Sequence, residues 1–164
     1  MEQQFINNSY QVVNNNEEAD IYVINTCTVT NMSDRKSRQA LRKVKEINKE
    51  AIVVACGCYA QVSSKELENI QETDIVLGNN EKNSIIKYIQ KFEEEKKKEI
   101  NIANVMQQKE FVEMGITAYT EKTRAVIKVQ DGCDRFCSYC IIPYARGRVR
   151  SRKPEKIVPG LCHD

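Results

Sequence analysis

Ala51-Ile52-Val53-Val54-Ala55 is the stretch on which the fold turns. It is continuously apolar, with β-branched residues at its centre and no polar alternation. A strand with one wet face alternates, whereas a strand covered on both faces reads like this one. Ile21-Tyr22-Val23-Ile24 and Asp74-Ile75-Val76-Leu77 repeat the pattern on either side of it. Between the first two strands, Ser33 or Asp34 is expected to cap a helix. Ala40, Leu41, Val44 and Ile47 fall on one face of that helix, and Arg35, Lys36, Arg38, Arg42 and Lys43 take much of the rest. Asn48 ends it. Ser63 or Ser64 can cap a short element over residues 65–70. Residues 84–92 read as a helix with Ile85, Ile86 and Ile89 on its apolar side. Strand, helix and strand at this pitch predict an α/β fold: a parallel sheet with helices on its faces. Ligands of such sheets bind beyond the carboxyl ends of the strands. Cys27 follows the first strand and Cys58 the second, so both thiols are expected at one sheet edge.

The chain has 164 residues, 41% hydrophobic and 29% charged. That is one domain, or one and a fragment, of a soluble globular protein. No apolar run approaches the ~18 residues of a membrane span. Met1-Glu2-Gln3-Gln4 has no basic start of a secretory leader. Seven cysteines and one histidine do not suit a secreted disulfide framework. A cytoplasmic protein whose clustered thiols bind metal or do redox chemistry is the better reading. The block Glu93-Glu94-Glu95-Lys96-Lys97-Lys98-Glu99 reads as a solvated helix end or linker. Residues 1–100 are expected to form the first domain, 101–120 a linker, and 121–164 the start of a second. Residues 124–129 read as a strand that leads through Gln130-Asp131-Gly132 into a cysteine cluster.

That cluster is Cys133-Asp134-Arg135-Phe136-Cys137-Ser138-Tyr139-Cys140, spaced Cys-x3-Cys-x2-Cys with no fourth cysteine nearby. Three thiolates on one loop can hold three irons of a [4Fe–4S] cluster and leave the fourth open. A structural zinc site needs a fourth ligand. His163, the only histidine, stands in a tail and is a poor candidate. Zinc and three unrelated structural thiols remain the alternatives. The segment after the cluster is basic: Arg146, Arg148, Arg150 and Arg152 alternate, which in an extended segment places them on one side. Such a stripe can neutralise RNA phosphates, or form an ordinary solvated face.

The cysteine loop resembles the signature of the radical S-adenosylmethionine enzymes. Three segments of the first half are similar to the N-terminal domain of the methylthiotransferases: Asn25-Thr26-Cys27-Thr28-Val29-Thr30-Asn31, Ser33-Asp34-Arg35-Lys36-Ser37-Arg38-Gln39 and Gly57-Cys58-Tyr59-Ala60-Gln61. The run from Ile141 to Arg152 resembles that family's continuation after the radical loop. The first two segments look most like the branch that acts on threonylcarbamoyladenosine at position 37 of tRNA. The resemblance implies a radical [4Fe–4S] cluster on Cys133, Cys137 and Cys140. It implies an auxiliary [4Fe–4S] cluster on three cysteines, two of which match Cys27 and Cys58. It places Tyr139 near the adenine of S-adenosyl-L-methionine and makes the strand before the loop the first of a partial (β/α) barrel. The implied reaction inserts a methylated sulfur at C2 of the adenine. S-adenosyl-L-methionine then serves twice, as methyl donor and radical source, and flavodoxin or ferredoxin is the kind of electron donor required. The arginine stripe then falls to tRNA, with part of it available to the carboxylate of S-adenosyl-L-methionine.

Two departures qualify the resemblance. The family's first cysteine lies in a Gly-Cys-x-x-Asn motif on an initial strand, and this chain is expected to start after it. The third auxiliary ligand is then missing. Cys56 is a weak substitute, since a small thiol inside a strand is ordinary. At the other end Pro159-Gly160-Leu161-Cys162-His163-Asp164 breaks the family's helix, and Cys162 and His163 read as a tail without function. The chain is thus expected to be an inactive fragment of a transferase, with most of the barrel absent. Two other readings stand beside it: a non-catalytic iron–sulfur or zinc module that holds RNA, and a methylthiotransferase of a ribosomal protein.

Overall fold

The computed structural model describes residues 1–14, 17–112 and 127–157. The chain divides into two compact units, Met1–Ala103 and Asn104–Asp164.

The first unit is a four-stranded parallel sheet, β1 (Ile21–Thr26), β2 (Ile52–Gly57), β3 (Ile75–Leu77) and β4 (Glu99–Asn101), in that spatial order. β2 is buried along its whole length, as its unbroken apolar run predicts. Its alternate side chains enter two cores. Val53 and Ala55 meet Leu41, Tyr59 and Leu67 on one face; Ile52, Val54 and Cys56 meet Ile75, Leu77, Ile85 and Ile89 on the other. The helices supply those covers. α2 (Asn31–Ile47), α3 (Cys58–Val62) and α4 (Ser64–Glu68) carry the first set; α5 (Ile85–Glu95) brings Ile85 and Ile89 to the second, whose Ile75 and Leu77 come from β3. α1 (Glu2–Asn7) adds Phe5 to the second core.

α2 starts before the expected cap. Thr30 is the N-cap, and its hydroxyl accepts from the Ser33 amide at 3.2 Å. Ser33 is therefore inside the first turn, where its hydroxyl lies 2.9 Å from that of Thr30. The far end is Asn48, as expected, and its side chain also donates to Ala19 O at 3.1 Å. Of the predicted apolar face, Leu41 is fully buried and Val44 half-buried, while Ile47 is exposed.

The charge block is in part the expected helix end and in part a strand. Glu93–Glu95 finish α5, Lys96 closes it in the left-handed region at φ 50°, and Glu99–Asn101 pair with β3 as a fourth strand. Charge conceals that strand because it is a short edge strand, where charged residues are tolerated and discourage further pairing. Glu99 is held by Lys91 of α5, and Ile100 packs against the first core. The expected linker therefore begins inside a strand, and the sheet unit runs to Ala103.

The second unit carries one ladder among its described residues: β5 (Gln130–Asp131) pairs antiparallel with β6 (Arg150–Ser151). The strand expected at 124–129 falls partly outside the described residues, and its described part, 127–129, is unassigned coil that touches the ladder through Arg152 N to Val129 O at 2.8 Å. The unit's described residues also form a 3-10 turn at Val105–Gln107, α6 (Ile142–Arg146) and α7 (Pro154–Ile157).

Leu41 has no exposed surface and joins α2 to β2. Leu41→Ala is expected to cost about 2–5 kcal/mol, measured by urea denaturation of the first unit's far-UV signal.

Candidate functional site

The β1–β2 register ends on the pair Thr26 and Gly57. One residue further, each strand delivers a cysteine, Cys27 and Cys58, at the carboxyl edge of the sheet. Cys27 is exposed, and Cys58 is buried as the first residue of α3. No loop separates β2 from α3, so the chain must turn within one residue. Gly57 does this at φ 110°. A Cβ there would lie 2.3 Å from Thr26 O and 2.9 Å from Asn25 Oδ1. Any side chain would thus collide with the β1 backbone and face positive-φ strain as well.

Polar side chains brace the edge. Thr26 Oγ1 donates to Cys56 O at 2.7 Å and accepts from Ala60 N at 3.2 Å, tying β1 to both β2 and α3. The Asn79 side-chain amide donates toward Cys58 Sγ at 3.8 Å. Lys82 Nζ donates to Asn25 Oδ1 at 2.9 Å. Gln61 carries the same brace to the next loop, accepting from Asn79 N and donating to Ala103 O, both at 2.9 Å. Tyr59 is buried against α2 and α4: its hydroxyl accepts from Arg38 at 2.7 Å and donates to Glu66 at 2.7 Å. Burial, then the bond to Glu66, pushes that phenol above its ordinary range.

Cys56 is no partner for this pair. It points into the second core, with its Sγ 4.0 Å from Met1 Sδ, while Val53 and Ala55 enter the first. Burial pushes its thiol up. Cys27 and Cys58 are the two thiols at this edge among the described residues, and no step is assigned to an auxiliary cluster.

The second cysteine group lies on the loop between β5 and α6. Cys133 and Cys140 are half-buried, and Cys137 is exposed. Tyr139 is 89% exposed. Gly132 (φ 78°) and Phe136 (φ 47°) bend the loop. Cys133 N donates to Gly147 O at 3.1 Å, and Cys140 N to Cys137 O at 2.9 Å. All three thiols are free of disulfides. Among the described residues no three His, Cys, Asp or Glu side chains are already gathered as a metal ligand set. The donor set itself fits an iron–sulfur group: three soft sulfur donors from one loop.

The four arginines do not share one side of an extended strand. Arg146 ends α6, Gly147 turns the chain, Arg148 is exposed, and Arg150 is 5% exposed. The alternation assumed an extended segment that the helix interrupts. Cys162 and His163 lie outside the described residues.

The comparisons bear on this frame of thiols. Residues 1–78, which contain both sheet-edge cysteines, match the family described as "Uncharacterized protein family UPF0004". The chain is 46% identical to the threonylcarbamoyladenosine tRNA methylthiotransferase MtaB of Aquifex aeolicus, over 96% of this chain and 38% of that protein. With the enzyme of the same name from Bacillus subtilis it shares 43% identity, over 87% of this chain and 32% of that protein. The chain belongs to the methylthiotransferase family. A third relative, 36% identical over 93% of this chain and 35% of its own length, is the ribosomal protein uS12 methylthiotransferase RimO of Clostridium botulinum. The chain thus spans 38% or less of each of these methylthiotransferases. Among the described residues no helix is long and apolar enough to cross a membrane.

Sequence reasoning found the thiols but missed Asn79 and Lys82, which follow β3. The available signal was positional: the loop after β3 opens at the same sheet edge as Cys58. Two measurements test this geometry. Gly57→Ala is expected to destabilise the first unit by at least about 2 kcal/mol, read from its urea midpoint. In the metal-free chain, Cys27 and Cys137 are expected to react first with iodoacetamide and Cys56 and Cys58 last, by peptide mass analysis with time.

Proposed function

We propose that this chain carries the thiol-bearing part of a radical methylthiotransferase that acts on N6-threonylcarbamoyladenosine at position 37 of tRNA. The observation that carries the reading is the pinned Cys133–Cys137–Cys140 loop joined in one chain to the Cys27–Cys58 sheet edge. A [4Fe–4S] cluster bound there supplies one-electron cleavage of S-adenosyl-L-methionine to a deoxyadenosyl radical. Cys133, Cys137 and Cys140 would hold that cluster, and Tyr139, which stands out from the loop just before the third thiol, is available to face the adenine. The chain's own contribution is then placement. The β5–β6 ladder fixes where the first thiol enters the loop, and Gly147 closes the loop behind the third.

In the sheet unit, Cys27 and Cys58 are the residues for sulfur handling. Cys27 is exposed, whereas Cys58 is packed and braced by Asn79. The names and identities of the first two relatives favour a tRNA substrate over a ribosomal protein. Of the four arginines of the stripe, Arg148 is exposed and Arg146 and Arg152 are half-buried, and with the exposed Arg135 and Lys153 they are available to meet phosphate. The electron donor is a low-potential carrier of the flavodoxin or ferredoxin kind. Domains in this reading are a methylthiotransferase N-terminal unit and the opening of a radical S-adenosylmethionine unit, in a cytoplasmic enzyme. The chain by itself is expected to be inactive on tRNA, because the sheet edge offers two thiols where three are needed.

The test is product analysis after anaerobic reconstitution with iron and sulfide. With dithionite and S-adenosyl-L-methionine, the chain is expected to release 5′-deoxyadenosine, and Cys137→Ala to release none. Bound iron without any 5′-deoxyadenosine would support the non-catalytic RNA module instead. Methylthiolation of uS12 but not tRNA by the longer enzyme would support the ribosomal-protein reading. Methylthiolated tRNA from this chain alone would contradict the inactivity assigned to it.

A further inference from the structure

Arg150 is the least exposed cation of the second unit's described residues, its side chain 3% exposed. It is not paired as a surface arginine is. Its Nη2 donates to Arg146 O at 2.6 Å and reaches Asp131 Oδ2 at 3.5 Å, and its Nε and Nη1 are buried with no partner. A guanidinium in that state is desolvated without full return, so it is a poor device for stability alone. Its geometry gives it a different use. Asp131 and Arg150 are register partners across the β5–β6 ladder, two residues before Cys133 and three after Gly147. They therefore sit at the neck of the cysteine loop.

Further ties run through the same neck. Cys133 N donates to Gly147 O at 3.1 Å. Asp134 Oδ1 accepts from Val149 N at 3.3 Å and lies 3.7 Å from Arg148 Nη1. The Arg148 guanidinium stands 5.3 Å from the centre of the Phe136 ring, which meets Tyr144 edge-on at 6.0 Å. Gly132 permits the approach, since a Cβ there would lie 2.1 Å from Arg148 O. Charge adds a second feature. One carboxylate, Asp131, faces Lys128 at 2.8 Å, Arg150 at 3.5 Å and Arg146 at 3.8 Å. The neck is left with an excess of positive charge.

We propose that Asp131 and Arg150 are positioning residues that latch the neck of the Cys133–Cys140 loop, holding its first thiol in place before and after an iron–sulfur group binds. The second half of this statement rests on the cluster reading above; the first half does not. Arg150 is thereby assigned to the loop and not to an RNA surface.

The experiment compares the unsubstituted chain with Asp131→Asn, Arg150→Met and Arg150→Lys. In the metal-free chain, amide exchange at Cys133 and Val149 is expected to quicken about tenfold in Asp131→Asn and Arg150→Met. The α6 amide of Ala145, in the same unit and bonded to Ile141 O, keeps its protection and reports that the unit still folds. Arg150→Lys keeps the charge and is expected to recover part of the protection. After reconstitution, loss of iron to a chelator is expected to be about tenfold faster in the first two variants, with the Lys variant between them and the parent. Unchanged amide exchange in both Asp131→Asn and Arg150→Met overturns the latch, as does equal iron loss from all four proteins. Faster exchange in chains of which even the parent binds no iron would support the latch and overturn the cluster reading instead.

Discussion

The arrangement of the sheet unit depends on the contact between Gly57 and the β1 backbone. At this point β2 passes so close to Thr26 that only hydrogen fits on the α-carbon. That closeness lets Thr26 Oγ1 reach both Cys56 O and Ala60 N, so strand, turn and helix are tied by one hydroxyl. It also fixes Cys58 at the first residue of α3, one step beyond the register pair that precedes Cys27. Two thiols of different exposure thus share an edge because of a single backbone approach. The hydrophobic effect builds the sheet around it, through two cores that each take alternate residues of β2.

The second unit uses a different means to place its thiols. Its described core is small: Val105, Pro143, Ala145 and Gly147 are buried, and little else apolar is. Backbone ties and ions define the loop instead. The ladder is only two residues long on each strand, and the Asp131 carboxylate gathers three cations beside it. A loop held by its neck, with Cys137 and Tyr139 outward, keeps its middle accessible to an incoming group. Gly132 and Gly147, both at positive φ, make the neck narrow enough for this.

Much of the sheet unit was legible because burial on two faces writes itself as unbroken apolar runs. Residues 51–55 and 74–77 gave strands that the structure contains, and Ile85 and Ile89 gave the cover of the second core. Three features were hidden for physical reasons. β4 is an edge strand built from Glu99, Ile100 and Asn101, so it carries the signature of a linker. The cap of α2 is Thr30, although cap preference ranks serine and aspartate above threonine, so local sequence pointed to Ser33 or Asp34. The arginine alternation implied a strand, but a helix ending at Gly147 breaks it, and Arg150 turns inward to Asp131. At the sites, cysteine spacing revealed the thiols, whereas Asn79, Lys82 and the Asp131–Arg150 pair act through long-range contacts that no local pattern encodes.

The central claim is that Cys133, Cys137 and Cys140 together hold one iron–sulfur cluster. The most direct measurement is iron per chain after anaerobic reconstitution, beside single alanine variants at each of the three positions and at Cys56. The account predicts about four irons, mostly lost in each loop variant and retained in Cys56→Ala. Zinc at one per chain, no iron, or iron that survives loss of a loop cysteine would contradict it.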